Sequence, residues 1–272
     1  MAHRAKKSLG QHFLRSKSAI HAIVSAGNVV ASDTVLEIGP GEGVLTDALL
    51  ATGATVVAVE KDRDLIPVLE ERFAEHIAQK QLTLIEADIL DFNPEKYGLI
   101  KGTYKLVANI PYYITGAIFE KFLSEKCSPS CMVVLIQKEV ATRIVARDNK
   151  ESILSISVKA FGTPKLTAKV PASAFRPAPK VDSAVLAVYD ISQHAFANWD
   201  IPESEAIHLF FKVVRAGFAH KRKLLARNLE VVAEKAQIEK SFRALDLSPN
   251  TRAEDLQLST WVVLAKTFLT ES

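Results

Sequence analysis

Four short apolar runs constrain this chain more than any other feature. They end near Ile38, Val59, Ile85 and Ala108, and helix-like stretches separate them. Each delivers a polar residue at or near its carboxyl end: the Gly39 turn, Glu60, Asp88 and Asn109. Strands alternating with helices read as an α/β sheet, and open α/β sheets bind ligands along the carboxyl edge of their strands. The pattern predicts a doubly wound, Rossmann-like sheet with a nucleoside-like ligand.

The first of these ends is TVLEIGPGEGVLT, Thr34 to Thr46. Gly39 and Gly41 permit positive φ and let a ligand approach the backbone. The spacing is GxGxG, not the GxGxxG of dinucleotide sites. Glu37 precedes the glycines. A carboxylate there would repel a pyrophosphate, but could orient the loop or attract a cationic ligand. That favours S-adenosylmethionine, which carries a sulfonium and no phosphate. Glu60 lies 19 residues beyond Gly41, close to the distance of the ribose-binding acid in a βαβ nucleotide site. Asp88, in EAD, could accept from an adenine amino group; an Asx turn or helix cap would also explain it.

Lys105 to Glu120, KLVANIPYYITGAIFE, reads as a strand ending in Asn-Ile-Pro-Tyr, with a helix starting near Thr115. Asn109 offers a side-chain acceptor. The backbone before Pro111 is held extended, so the Ile110 carbonyl can face the same space. Tyr112 offers a ring for stacking. Two acceptors and an aromatic face suit an aromatic amino group such as that of adenine. A plain strand-to-helix turn would explain the tetrapeptide taken alone.

A chain of 272 residues can bury a core without disulfide or metal staples. The net charge of +3 predicts no polyanion partner by itself, so any basic surface must be local. No apolar run approaches the roughly 20 residues needed to span a bilayer. Cys127 and Cys131 are too few for a structural zinc site and read as reduced thiols of a cytoplasmic protein; no metal is expected. The basic leader, with Arg4, Lys6, Lys7, Arg15 and Lys17, could pass for a transit peptide or a frayed tail. It lacks a long apolar core, and Ser8-Leu9-Gly10-Gln11-His12-Phe13-Leu14 reads as functional sequence.

Helices are expected over 20–30, 64–78, 137–147 and 152–161, with further strands over 131–136, 164–171 and 184–189, the last alternating. FRPAPKVDSA, Phe175 to Ala184, carries prolines two apart that fix an extended loop and hold Phe175 and Arg176 beside the sheet edge. From Asp190 the pattern becomes helical. Residues 1–190 are expected to form the ligand-binding domain and 191–272 a smaller all-helical one. Its bundle core is expected from Leu245, Leu247, Leu256, Leu258, Trp261, Val262 and Leu264. Ala206 to Leu229 reads as helix with Lys212, Arg215, Lys221, Arg222, Lys223 and Arg227 and no acid. That local basic stripe suits a phosphate backbone.

GQHFL, EIGPGEG, Glu60, EAD, NIPY and FRPAPKVDSA occur here in the order found in ribosomal RNA adenine dimethyltransferases. The chain resembles that family, of the KsgA type, over about residues 5–260. The resemblance implies a class I methyltransferase domain and transfer of methyl groups from S-adenosylmethionine to two adjacent adenosines near the 3′ end of small-subunit rRNA. It implies cofactor contacts at His12, Leu14, Gly39, Gly41, Glu60, Asp88 and Asn109. Many members carry Asn where this chain has His12, which leaves that side-chain bond open. It further implies that Asn109 touches the target base and that Tyr112 and Phe175 sandwich it; the Ile110 carbonyl is the second acceptor on the residue reading above. The expected partner is rRNA within an assembling 30S particle, met by a monomer. Two other readings stay open: a macrolide-resistance type methyltransferase, and an RNA-binding assembly or transcription factor with a vestigial site.

Overall fold

The computed structural model describes residues 5–6, 9–124, 127–146 and 148–268. The chain divides into two compact units, Met1–Ala141 with Thr163–Ile191, and Thr142–Gly162 with Ser192–Ser272.

In the first unit the strands are β1 (Phe13–Leu14), β2 (Thr34–Ile38), β3 (Thr55–Glu60), β4 (Leu82–Glu86), β5 (Tyr104–Asn109), β6 (Cys131–Gln137), β7 (Thr163–Val170), β8 (Phe175–Arg176) and β9 (Ser183–Tyr189). The helices between them are α1 (Lys17–Ala26), α2 (Val44–Leu50), α3 (Ile66–Arg72), α4 (Ala74–Ala78), α5 (Thr115–Ser124) and α6 (Lys138–Ile144), which ends across the unit boundary. Seven strands form one sheet in the order β4-β3-β2-β5-β6-β9-β7. Strands β4 to β6 run parallel, and β9 and β7 return antiparallel. The chain order reverses direction between β2 and β5. Their carboxyl ends, at Ile38 and Asn109, therefore open the crevice where ligands bind in such sheets.

Burial follows strand position. β6 and β9 lie inside the sheet and are almost wholly buried, as apolar runs covered on both faces must be. The alternation expected for 184–189 is therefore absent. It appears instead in β7, an edge strand whose exposed Lys165 and Lys169 discourage further pairing. The helix expected over 64–78 is interrupted at Phe73. That ring is buried against Gly43, where an added Cβ would lie 2.6 Å from it. The helix expected over 20–30 is α1: the Ser16 side chain caps its start and it gives way at Gly27.

The second unit contains α7 (Ile153–Lys159), α8 (Glu203–Phe218), α9 (Leu225–Leu229), α10 (Lys235–Ala244) and α11 (Leu258–Thr267). Residues 142–162 group with these helices, whereas the sequence places everything to 190 with the sheet. The grouping has a physical cause. The Phe161 ring lies 5.8 Å from Phe196 and 5.9 Å from Phe211. Glu151 N donates to the Glu254 carbonyl at 2.8 Å, and Lys150 pairs with Asp255. Leu256, Trp261 and Leu264 are core residues as expected, while Leu245, Leu247, Leu258 and Val262 are half-buried. Among the described residues, no helix is long and apolar enough to cross a membrane.

Candidate active site

A cavity of about 190 Å³ opens at the carboxyl ends of β2, β3 and β5. It gathers His12, Leu14, Gly39, Gly41, Glu60, Asp88, Asn109, Ile110, Tyr112 and Phe175, which are all the cofactor and catalytic candidates of the sequence.

The glycine turn leaves β2 with Gly39 at φ +66° and Gly41 at φ +60°. A Cβ built on Gly39 meets no atom within 4 Å. The turn presents bare backbone to open space, a cradle that fits a cofactor lying against it. At Gly41 the reason for glycine differs: a Cβ would press on the Phe13 ring at 3.1 Å.

Glu60 closes the turn from the end of β3. Its Oε2 accepts from Gly41 N at 3.1 Å and its Oε1 from Asp62 N at 2.8 Å. Burial pushes its carboxyl above the usual range, and these backbone bonds pull partly against that. Each oxygen keeps acceptor capacity toward the cavity. Asp88 stands on a more exposed wall. Lys61 Nζ donates to it at 2.6 Å and holds its carboxyl below the usual range, while Leu90 N donates to Oδ1 at 3.0 Å. Glu37 is different. It is fully buried and absent from the cavity wall; Thr46 Oγ1 donates to its Oε2 at 2.7 Å. Of the two roles the sequence left open, this geometry fits orientation of the turn, because the bond ties β2 to α2.

The leader is pinned across this cavity. β1 pairs antiparallel with β8, setting Phe13 opposite Arg176 and Leu14 opposite Phe175. Lys6 Nζ meets Asp62 at 2.5 Å and Asp64 at 2.6 Å, Gln11 Nε2 donates to Asp62 at 2.6 Å, and Arg15 pairs with Glu42 at 2.5 Å. Lys6 is thus committed to acids of its own chain. Lys7, the other lysine of that pair in the leader, lies outside the described residues.

The leader also reaches the end of β5. Asn109 Nδ2 donates to the His12 carbonyl at 3.1 Å. Spending the amide nitrogen there leaves Oδ1 as the acceptor. Ile110 is buried, its N–H directed to the Leu135 carbonyl at 3.4 Å. The Tyr112 hydroxyl bonds Ser183 Oγ at 2.7 Å, and burial raises its pKa. Phe175 is only 5% exposed and joins the wall through β8. The His12 ring bonds the Pro177 carbonyl through Nδ1 at 2.7 Å.

Sequence reasoning missed several wall residues. Tyr113, 64% exposed, has its ring beside Gly10, where a Cβ would sit 3.4 Å away. Ile89 and Leu90 add apolar wall next to Asp88. The second tyrosine of NIPYY and the apolar pair after EAD were the available signals.

The six cations of the helical unit are all exposed, but not on one helix. Lys212 and Arg215 lie on α8, Lys221, Arg222 and Lys223 in the turn that follows, and Arg227 on α9. The expected continuous helix breaks because Asn228 Nδ2 reaches back to the carbonyls of Gly217 at 2.6 Å and His220 at 3.1 Å. Arg227 is not uncompensated: Glu230, just beyond the acid-free stretch, pairs with it at 3.2 Å. Cys127 and Cys131 are buried thiols outside any disulfide. Among the described residues, no group of three or more His, Cys, Asp or Glu could hold a metal.

A glycine turn and strand-end carboxylate facing an Asn-Ile-Pro-Tyr turn across the switch point of a mostly parallel sheet define a Rossmann-like methyltransferase. The family model for ribosomal RNA adenine dimethylases matches residues 2–269, and the chain belongs to that family. It is accordingly an S-adenosylmethionine-dependent rRNA adenine dimethyltransferase. The chain is similar to the ribosomal RNA small subunit methyltransferase A of Dehalococcoides mccartyi, 40% identical over 260 residues, 95% of this chain and 86% of that protein. It is likewise similar to the protein of that name from a Nostoc species, 37% identical over 273 residues, covering 96% and 97%. Among solved structures it resembles a dimethyladenosine transferase from Plasmodium falciparum, with a TM-score of 0.78, 24% identity and 93% and 96% coverage. It also resembles the 23S rRNA methyltransferase ErmE, with a TM-score of 0.74, 23% identity and 94% and 99% coverage. At these identities the two structures support the fold alone.

Proposed function

We propose that the chain dimethylates N6 of two adjacent adenosines near the 3′ end of small-subunit rRNA, as the name shared by its relatives suggests. It does so in the cytoplasm, as a monomer, on an assembling 30S particle. The observation that carries the chemical reading is the oriented amide of Asn109, whose Oδ1 stays available beside the glycine turn.

S-adenosylmethionine, when bound, supplies a methyl group on a sulfonium. The glycine turn, Glu60 and Asp88 hold it, with Leu14 packing alongside. The adenine amino nitrogen is a weak nucleophile because its lone pair is delocalised into the ring. It needs no general base before attack, since its proton becomes acidic only as the new bond forms. The residues must therefore align the nitrogen and favour its pyramidal form. Asn109 Oδ1 and the Ile110 carbonyl do this by accepting its N–H bonds and stabilising the charge that develops on it. Tyr112 and Phe175 stack on the flipped base and offset part of the cost of unstacking it. Lys212, Arg215, Lys221, Arg222 and Lys223 grip the phosphate backbone. Arg227 contributes less, because Glu230 already partners it. Arg143, exposed on α6, is a second candidate grip; Arg147 lies outside the described residues.

Transfer of tritiated methyl to small subunits from an unmethylated strain tests this reading; no incorporation would refute it. Asn109→Ala should keep the fold and lose most activity, in kcat more than in RNA affinity. Single-turnover rates at the wild-type level would reduce Asn109 to a turn residue.

A further inference from the structure

Asp62 is a buried acid with no face on the cavity. It stands two residues beyond Glu60 and is only 1% exposed, yet the wall that Glu60 and Lys61 form with the leader does not include it. A carboxylate buried that deeply must be matched by donors. Two of them come from the leader, more than fifty residues earlier in the chain: Lys6 Nζ at 2.5 Å and Gln11 Nε2 at 2.6 Å. Its own loop adds Asp64 N at 3.2 Å.

Gln11 is committed at both ends of its amide. Nε2 donates to Asp62, and Oε1 accepts from Lys6 N at 2.7 Å, so the chemistry of the partners assigns nitrogen and oxygen. The next residue is His12, whose carbonyl accepts from Asn109 Nδ2 at 3.1 Å. At the other end, Asp62 N donates to Glu60 Oε1 at 2.8 Å. A continuous path thus joins Glu60 on β3 to Asn109 on β5 through Asp62, Gln11 and the His12 peptide. The pairing of β1 with β8 begins only at Phe13. Ahead of it, bonds from a buried charge fix the register of the leader, because charge-assisted bonds are directional where apolar contact tolerates sliding.

We infer that Asp62 is a positioning residue for methyl transfer: through Lys6 and Gln11 it sets the leader over the cavity, and through the leader it places the Asn109 amide. Its effect on transfer rests on the reading of Asn109 given above. Its effect on cofactor affinity does not, because Leu9 to Leu14 form part of the cavity wall.

Asp62→Asn keeps the volume but sets an amide among donors and removes the charge. Calorimetric affinity for S-adenosylmethionine, and single-turnover transfer to unmethylated small subunits at saturating cofactor, should each fall about tenfold or more, the scale of one hydrogen bond to a charged group. Trypsin should cut after Arg15 faster than in the wild type. Lys6→Met breaks the same link from the leader; Lys6 lies off the cavity wall and is part-exposed, so this variant decides the matter if Asp62→Asn does not fold. It should also speed cleavage and lower affinity, and the double variant should be no worse than Asp62→Asn alone. Losses that multiply in the double variant would overturn the inference by giving Asp62 a role apart from the leader. Lost activity with cleavage at the wild-type rate would overturn it by making Asp62 merely structural. Wild-type affinity and transfer in either single variant would overturn it outright. A wild-type chain that labels no adenosine would refute the parent reading, and affinity and cleavage would then decide the role of Asp62 by themselves.

Discussion

Glu37 should make this protein less stable as pH rises through neutrality. The residue lies in β2 with its side chain fully buried. Burial is the largest cause that raises its carboxyl to about 8; the Thr46 bond opposes this, and the charges of Glu60 and Asp47 add to it. Oε1 has no hydrogen-bond partner. In the unfolded chain the carboxyl returns to its ordinary value of 4.5. Below that value both states hold the proton and the group contributes no pH dependence. Between the two values the native state keeps the proton that the unfolded state has released, so stability falls as pH rises, by at most about 1.4 kcal/mol per pH unit. From pH 5 to pH 7 the loss is roughly 2–3 kcal/mol, and above about 8 the slope from this group vanishes. Glu37→Gln removes the titration. Its carbonyl can still take the Thr46 bond, while its amide nitrogen lacks a partner at a cost of about 1–3 kcal/mol that does not vary with pH. Urea unfolding of both proteins at pH 5, 6 and 7, followed by circular dichroism, should show the variant gaining on the wild type by roughly 2–3 kcal/mol across the range. Parallel pH profiles would refute the reasoning, because they would mean that the native carboxyl titrates where the unfolded one does.

Glu60→Ala should weaken S-adenosylmethionine binding by roughly 1.5–3 kcal/mol, the scale of hydrogen bonds to a charged group, and calorimetry with unchanged affinity would count against a cofactor role. The triple change of Lys221, Arg222 and Lys223 to Ala should weaken target and non-target RNA alike. It should reduce the salt slope of binding by roughly 0.7–0.9 for each phosphate no longer neutralised, with cofactor affinity unaltered. Gly217→Ala would set a Cβ 2.3 Å from the buried Trp261 ring and 2.9 Å from Leu225. Overpacking of that kind costs about 1–3 kcal/mol or more, which thermal unfolding should register as a clear drop in Tm.

The sheet was legible because its signals are local. Parallel strands covered on both faces read as short apolar runs, and each ends near a glycine or polar residue on the edge where open α/β sheets place ligands. That was enough to collect Gly39, Glu60, Asp88 and Asn109 from four separate segments. What stayed hidden was non-local. Nothing near Phe13 and Leu14 announces that they pair with Arg176 and Phe175. Nothing in 142–162 announces that Phe161 stacks on Phe211. Helix ends failed for the same reason: 64–78 breaks because Phe73 is buried against a glycine from another turn, and 206–229 because Asn228 captures two carbonyls. Spacing also identifies which groups line a site without showing how much bonding capacity they retain. Glu60 accepts backbone bonds through both of its oxygens, Asn109 commits its amide nitrogen to the leader, and Lys6 is neutralised by Asp62 and Asp64. These commitments decide the chemistry. An Asn109 amide free to turn could present donor or acceptor to an amino group, and only the acceptor helps. The leader carbonyl at His12 holds the amide nitrogen, so the amino-terminal segment, which sequence reading could only describe as basic and functional, sets which end of the Asn109 amide is left to the cavity.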